Sequence, residues 1–190
     1  MNVSLVSETD VRMNVEEFLA WSERQPDEDR YELVDGEVVA MTRDTIGHNR
    51  AKLAACVALL NAARLAKLSC EVSIDGVGVR VNERTLRIPD VVVQHDAASD
   101  VTAMLASSPV IVVEVVSPSS ERDDVDTKFI DYFSVEGIRH YLILFPERGA
   151  VIHHHRNEQG KIESAILKEG DVTLDPPGFS VSIAALFGPL

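Results

Sequence analysis

Cysteine is scarce in this sequence, and long apolar runs are absent. The two cysteines, Cys56 and Cys70, have no further Cys or His at metal-ligand spacing, which argues against a disulfide framework and a zinc site. No stretch approaches the roughly 18 consecutive apolar residues of a membrane helix. The first residues also lack the basic and then apolar order of a signal peptide. These absences predict a cytoplasmic protein with no membrane partner.

Positive charge is also in short supply. The chain has 18 Lys and Arg against 31 Asp and Glu, which gives a formal net charge of −13. Proteins that bind nucleic acid usually concentrate Lys and Arg, so this balance argues against such a partner. Between residues 43 and 87, however, eight basic residues occur with only four acidic ones. The charge therefore disfavours a nucleic-acid partner without excluding one.

What the chain does have is enough apolar sequence for one sizeable core. With 190 residues and 45% hydrophobic content, it is predicted to form a single domain, residues 1–190. Asp35-Gly36 lies between two apolar runs and predicts an N-terminal β-hairpin. From His48 to about Lys67, apolar residues follow three- and four-residue steps that include Leu53 and Val57, which predicts a long helix.

The second half of the sequence alternates strands and helices. TLRIPDVVV, PVIVVEVVS and HYLILFP are predicted strands, and DVDTKFIDYFSVEG is a predicted helix with Phe129, Ile130 and Phe133 on one side. Because this helix connects PVIVVEVVS to HYLILFP, those two strands should be parallel and the earlier ones antiparallel. AVIHHHRN and KIESAILKEG predict a C-terminal antiparallel pair. The predicted fold class is α/β, a mixed sheet flanked by helices.

Glu114 points toward function, because it interrupts the otherwise apolar run PVIVVEVVS. Asp90, in RIPDVVVQ, is likewise a carboxylate at the edge of a buried run, and two like charges on neighbouring strands need a counter-charge. One solution is a divalent cation such as Mg²⁺, which binds one or two carboxylates plus waters. The other solution is a set of buried ion pairs, namely Asp90 with Arg87 or Arg84 and Glu114 with Lys128 or Arg122.

The order of the motifs resembles the PD-(D/E)xK, or restriction-endonuclease-like, nuclease superfamily, and more closely a bacterial family of restriction endonucleases within it. The motifs are RYELVDGEVVAM, GHNR at the start of a helix, RIPDVVVQ, VVEVVSPSS, DVDTKFIDYF and GIRHYLILFP. Together they cover roughly residues 15 to 150, and the resemblance extends to PPGFSVSIAALF near the end of the chain. It implies a restriction-endonuclease-like core at about residues 30–150, with a central mixed β-sheet.

The same resemblance implies a Mg²⁺-dependent endonuclease that hydrolyses DNA phosphodiester bonds by metal-activated water, with Mn²⁺ as a substitute ion. Asp90 and Glu114 would hold the ion, with the main-chain carbonyl of Val115 as a third ligand. Glu32 matches a family acid that could complete the metal shell, and is otherwise a surface acid on its strand. DNA is the implied partner.

The sequence departs from the superfamily pattern at Val116, where the pattern has a lysine that orients the attacking water. Asp124, Lys128 and Tyr132 are spaced four residues apart, so they share one face of the following helix. Lys128 could therefore reach back toward Glu114 and replace the missing ammonium. The alternative is a structural salt bridge between the same two residues.

Three residues near the start of the long helix complete the candidate site. His48 could contact phosphate or act as an acid or base, because a helix N-terminus favours anions. It could equally cap or pack against the helix end. Arg50 and Lys52 are predicted to contact DNA phosphates, and are otherwise ordinary solvated residues.

His153-His154-His155 does not predict a metal site. In a strand only His153 and His155 share a face, and no third ligand is evident in the sequence. An exposed strand is the better interpretation.

Two functions compete with a DNA endonuclease. Val116 and the net acidity fit a nuclease-like module that has lost catalysis and serves in binding or assembly. The acidic surface also fits a metal-dependent hydrolase of a small phosphorylated compound. Because nucleases that cut both strands often work as two-fold dimers, a homodimer is also expected.

Overall fold

The computed structural model describes residues 12–26, 30–95, 100–116 and 122–188, with only the backbone for residues 122–125. The N-terminal half is built from two helices and six strands. They are α1 (Val15–Ser22), β1 (Tyr31–Val34), β2 (Glu37–Ala40), α2 (Ile46–Leu65), β3 (Cys70–Ile74), β4 (Val79–Asn82), β5 (Thr85–Arg87) and β6 (Val91–His95).

The described part of the C-terminal half adds six more strands and two helices. They are β7 (Pro109–Val115), α3 (Arg122–Ser134), β8 (His140–Phe145), β9 (Ala150–Arg156), β10 (Ile162–Leu167), β11 (Asp171–Leu174), β12 (Phe179–Ser182) and α4 (Ile183–Phe187). None of the helices in the described ranges is both long enough and apolar enough to cross a membrane.

The predicted N-terminal hairpin is present as β1 and β2. Its turn residues Asp35 and Gly36 both have positive φ, 50° and 87°, as a tight two-residue turn requires. A Cβ added to Gly36 would lie 2.9 Å from the Cβ of Arg12, so glycine also allows the preceding chain to pack closely here. The hairpin extends into a four-stranded sheet in the order β2–β1–β5–β4, and α1 covers it with Val15 and Phe18.

The central sheet has six strands in the order β10–β9–β8–β7–β6–β3. Strands β7 and β8 are parallel, with α3 as the connection between them, and the other neighbours are antiparallel. The predicted mixed sheet and its parallel pair are therefore confirmed. The predicted C-terminal antiparallel pair is also present, as β9 and β10.

Two helices cover opposite faces of the central sheet. On one face α2 packs against alternate residues such as Val91, Val93 and Val113. On the other face α3 packs against the intervening residues, including Val92 and Val112. Side chains from both helices reach one end of the sheet, where Asp90 and Glu114 lie.

The run TLRIPDVVV forms two strands rather than the single predicted one. Strand β5 pairs with β1 and β4 in the small sheet, whereas β6 pairs with β3 and β7 in the central sheet. The break falls at residues 88–90, because Pro89 has no N–H to donate to a continuing ladder. Asp90 consequently lies at the point where the chain passes from one sheet to the other. Strand β3 was not predicted.

The buried face of α2 differs from the predicted one. Leu53 and Val57 are about half exposed, at 55% and 46%, whereas Ala55 and Leu59 are fully buried. In a helix with many alanines, the small residues can approach the sheet closely, so the largest apolar side chains do not mark the packed face. For α3 the prediction is wrong in the same way at Ile130, which was placed on the apolar side but is 68% exposed.

Candidate active site

Three carboxylates form a row across the end of β3, β6 and β7. The register that pairs Ile74 with Val91 continues one step to Asp75 and Asp90, since the Asp75 N–H donates to the Asp90 carbonyl at 3.1 Å. The register that pairs Val91 with Val113 continues one step to Asp90 and Glu114. Side chains of directly opposed residues lie on the same face and close together. The site is therefore an acidic row that needs nearby cations.

Asp90 is held by main chain and side chains together. Its Oδ2 accepts a hydrogen bond from the Val115 N–H at 2.6 Å, and Nε2 of His48 lies 3.3 Å from the same oxygen. The ammonium of Lys52 lies 3.7 Å from Oδ1. These contacts fix Asp90 next to the strand that carries Glu114.

Glu114 is held from the α3 side. Its Oε1 accepts a hydrogen bond from the Tyr132 hydroxyl at 2.6 Å, and its Oε2 lies 3.2 Å from the ammonium of Lys128. Burial raises the pKa of Glu114 to about 7; Lys128 opposes this shift, and Asp90 and Glu32 add to it. Near neutral pH, the neutral and ionised forms of this carboxyl group are therefore present in similar amounts.

Glu32 lies next to Lys128, and both of its carboxylate oxygens accept hydrogen bonds. Its Oε2 accepts from Arg87 at 2.9 Å, its Oε1 accepts from the Ile88 N–H at 2.9 Å, and Lys128 lies 3.8 Å from Oε1. The guanidinium of Arg87 also donates to Asp131 at 2.7 Å. Since Glu32 is only 5% exposed, its interpretation as a surface acid is wrong.

Lys52 is fully buried, and its interpretation as a solvated residue is wrong. Its ammonium binds Asp44, and it lies 2.8 and 3.0 Å from the two carboxylate oxygens of Asp75. Arg30 donates to the same two aspartates, at 3.1 and 3.0 Å. Burial alone would lower the pKa of Lys52, but the hydrogen bonds to Asp44 and Asp75 raise it above its ordinary value.

His48 lies between Asp44 and Asp90. Its Nδ1 is 2.8 Å from Oδ1 of Asp44, and the contact with Asp90 raises the pKa of the ring above its ordinary value, against the opposing effect of burial. The helix cap is Thr45, whose hydroxyl accepts from the His48 N–H. The alternative of His48 as a capping side chain is therefore wrong. Arg50, two residues after His48, is exposed and lies on a different side of the helix from His48.

The predicted ion pairs are correct for one acid only. Glu114 does contact Lys128, whereas Asp90 lies beside His48 and Lys52 rather than Arg87 or Arg84. Val116, in the lysine position of the superfamily pattern, packs in the apolar cluster under α3. The Arg122 and Asp124 side chains and the segment 117–120, which the sequence analysis also considered, lie outside the described residues.

The three consecutive histidines lie on β9, but not as an exposed strand. His153 is only 7% exposed, and its Nε2 lies 2.9 Å from Nδ1 of His140 on the neighbouring strand. Burial lowers the pKa of His140 to about 4 and that of His153 to about 3. The rings of His140, His153 and His155 stack on one another and do not converge on one point.

Within residues 12–26, 30–95, 100–116 and 122–188, no three His, Cys, Asp or Glu side chains are grouped as a ready-made metal site. The described carboxylates do fit an ion that needs only one or two protein ligands. Mg²⁺ commonly takes one or two protein carboxylates and completes its shell with waters and substrate phosphate. The carboxylates of Asp90 and Glu114, which are neighbours across β6 and β7, match that requirement.

Sequence reasoning missed part of the cluster. Asp44, Asp75 and Arg30 were not singled out, and Lys52 was placed on the surface. Their only local signal is Asp75-Gly76 after an apolar segment, which marks a turn but no chemistry. The packing of α2 against the sheet is what brings these residues to Asp90.

Comparisons with known proteins agree with this architecture. The model of the Uma2 family, described as "Putative restriction endonuclease", matches residues 15–186. An uncharacterized protein of Synechocystis sp. is 28% identical over 150 residues, which are 78% of this chain and 77% of that protein. The crystal structure of a "putative nuclease" belonging to DUF820 from Anabaena variabilis superposes with a TM-score of 0.71 at 13% identity, over 92% of this chain and 97% of that one.

Proposed function

Because the chain belongs to the Uma2 family of restriction-endonuclease-like proteins, we propose that it is a divalent-metal-dependent nuclease that hydrolyses phosphodiester bonds in DNA. The observation that carries the proposal is the pair of adjacent carboxylates, Asp90 and Glu114, each with a buried lysine beside it. Buried acids and bases at one end of a sheet, with a perturbed pKa among them, are typical of a catalytic site.

Asp90 and Glu114 are the residues that would hold Mg²⁺ or Mn²⁺, together with the main-chain carbonyl of Val115. When bound, such an ion lowers the pKa of a coordinated water and stabilises negative charge on the scissile phosphate. Glu32 has both oxygens engaged by Arg87 and Ile88, so we assign it to the support of Lys128 rather than to the metal shell.

Lys128 supplies the ammonium that the strand lacks at Val116. It contacts Glu114 from α3 and can stabilise charge on the phosphate or orient the attacking water. Tyr132 fixes the other oxygen of Glu114, which keeps the carboxylate oriented. His48, supported by Asp44, can hold a proton at Nε2 next to Asp90 and exchange it with the reacting groups.

The proposal is tested by incubating end-labelled duplex and single-stranded DNA with the protein in Mg²⁺ or Mn²⁺. The wild type should cleave in either metal and not in EDTA. Asp90→Asn and Glu114→Gln should cleave at least about 100-fold more slowly, while Asp100→Asn, which changes an exposed aspartate hydrogen-bonded to Thr102, should match the wild type. Cleavage by all three variants at the wild-type rate would refute the assignment.

A nuclease-like module without catalysis is the second candidate, and Val116 and the net charge of −13 favour it. It predicts DNA binding that survives in Asp90→Asn, with no cleavage in any metal. A hydrolase of a small phosphorylated compound would instead bind DNA weakly and with little salt dependence, because steep salt dependence reflects displaced phosphate counterions. Under the nuclease proposal we expect a homodimer, which sedimentation at micromolar concentration would test.

A further inference from the structure

The Lys52 ammonium lies at different distances from three carboxylates. It binds Asp44, lies 2.8 and 3.0 Å from the two oxygens of Asp75, and lies 3.7 Å from the nearer oxygen of Asp90. The last distance is just beyond hydrogen-bond range. The lysine is therefore hydrogen-bonded to two aspartates and held slightly short of the third.

The two closer aspartates are themselves fixed. Arg30 donates one nitrogen to Asp44 and another to Asp75. The main chain of Asp75 is hydrogen-bonded to that of Asp90, so the two residues cannot separate easily. Asp44 and Asp75 thus form a braced pair of acceptors for the ammonium, and both are closer to it than Asp90 is.

We propose that Asp75 is a positioning residue that, with Asp44, holds the ammonium of Lys52 away from Asp90 and so keeps Asp90 open to a divalent cation. This inference rests on the proposed function, because it takes Asp90 as a metal ligand. A buried ammonium must keep its hydrogen-bond partners, since an unpaired charge inside a protein is costly. If Asp75 loses its charge, the nearest carboxylate that Lys52 does not already bind is Asp90.

Asp75→Asn should therefore move the ammonium onto Asp90, where it competes with the metal. Mn²⁺ affinity should fall roughly tenfold, the size of effect expected when a supporting partner of a metal ligand is changed. The decisive variant is the double substitution Asp75→Asn with Lys52→Met. With no ammonium to move, the loss of the Asp75 charge should change Mn²⁺ affinity by less than about twofold relative to Lys52→Met alone.

The experiment is a double-mutant cycle measured by calorimetry with Mn²⁺ alone, on the full chain, with folding of each variant checked by circular dichroism. Asp131→Asn is the matched control, since it removes a partly buried carboxylate that binds Arg87 instead of Lys52. Its effect should be the same with and without the Lys52→Met substitution. Lys52→Gln replaces Lys52→Met in the cycle if the methionine variant does not fold.

The outcomes separate this inference from the proposed function. The positioning role is supported if the effects of substitutions at positions 52 and 75 on Mn²⁺ affinity depend strongly on each other, while those at positions 52 and 131 are independent. If Asp75→Asn weakens Mn²⁺ binding by the same factor in both backgrounds, its effect is simple charge loss and the positioning role is wrong, while the metal site stands. If the wild type binds Mn²⁺ neither alone nor with a DNA oligonucleotide present, both the inference and the metal site are wrong. If it binds Mn²⁺ only with the oligonucleotide, the cycle is measured with the oligonucleotide present.

Discussion

At the scale of single residues, the site consists of acids on strand ends and cations supplied by helices. Lys52 comes from α2 and Lys128 from α3, on opposite faces of the central sheet; Lys128 contacts Glu114, whereas Lys52 lies near Asp90 and is hydrogen-bonded to Asp44 and Asp75. Under the proposed function, Lys128 provides the charge that a strand lysine would have provided. Val116 can then be apolar and contribute to packing under α3.

Lys128→Met should abolish most of the cleavage activity, by at least about 100-fold, because it removes the ammonium next to Glu114. Lys128 also lowers the pKa of Glu114, so its loss should raise that pKa further above 7. Mn²⁺ binding, which requires the ionised carboxylate, should then need a higher pH than in the wild type. The measurement is Mn²⁺ affinity and cleavage rate between about pH 6 and 9.

The control for this substitution is Lys161→Met, which changes an exposed lysine near the start of β10. It should leave both quantities unchanged. A purely structural role for Lys128 would be indicated if the folded Lys128→Met variant kept the wild-type pH dependence and rate.

Sequence reasoning identified the residues whose burial conflicts with their charge. Glu114 in an apolar run and Asp90 beside three valines are visible in the sequence, and Lys128 follows from the four-residue spacing on α3. The roles of Lys52 and Asp75 could not be predicted from the sequence, for a physical reason. Nothing local distinguishes a buried lysine on an alanine-rich helix from an exposed one, because the difference lies in which face packs on the sheet.

At the scale of secondary-structure elements, the sequence predicted several of the strand pairings correctly. It did not predict which face of α2 is buried. The parallel pairing of β7 with β8 follows from the intervening helix, and the antiparallel pairing of β9 with β10 from their adjacency. Helix α2 buries Ala55, Ala58 and Leu59 and leaves Leu53 and Val57 on its outer side. Close packing of alanines outweighed side-chain size.

Leu59→Ala should therefore destabilise the protein by about 3 kcal/mol, since it removes a fully buried side chain and leaves a cavity. Leu53→Ala, the same substitution on the same helix, should cost less than about 1 kcal/mol because Leu53 is half exposed. Urea unfolding of the two variants and the wild type measures both values. Equal costs would show that the outer face of α2 is buried in solution.

The contact between β8 and β9 should make stability depend on pH. His140 and His153 are kept neutral by burial, with folded pKa values of about 4 and 3, below the ordinary value of 6.5. The unfolded chain therefore binds more protons between about pH 6.5 and 4, and stability should fall with decreasing pH there, by at most about 1.4 kcal/mol per pH unit for each histidine.

His153→Gln should flatten this dependence, as measured by urea unfolding at about pH 7.5 and pH 5.0, which lie on either side of the ordinary histidine pKa. The matched control is His95→Gln, at the exposed end of β6, which should leave the slope as it is in the wild type. An unchanged slope in His153→Gln would mean that the histidine pair is accessible to protons in the folded state.

At the scale of the whole molecule, the site lies where the chain passes between two sheets. Arg87 and Glu32 belong to the small sheet and Glu114 to the central sheet, and Lys128 contacts both Glu32 and Glu114. Asp90 lies between the two sheets. The net charge of −13 makes general attraction of DNA weak, so under the proposed function DNA binding should depend on a few basic residues near the site.

Arg50→Ala should weaken DNA binding and reduce the slope of log affinity against log salt by about one, because Arg50 is an exposed cation in the N-terminal part of α2, the end of the helix that carries His48. Arg64→Ala removes the same side chain at the opposite end of α2 and should change neither quantity. Fluorescence anisotropy with labelled DNA at several salt concentrations, with Ca²⁺ in place of Mg²⁺, provides the measurement. Equal effects of the two substitutions would contradict a contact at Arg50.

The most direct test of the account is calorimetric titration of Mn²⁺ into the wild type, Asp90→Asn and Glu114→Gln, with and without a DNA oligonucleotide. We predict binding by the wild type, strengthened by DNA because phosphate supplies further ligands, and loss of that binding in both folded variants. No binding by the wild type under either condition would contradict a metal site at Asp90 and Glu114. In that case Lys52 and Lys128 would serve only to neutralise buried acids.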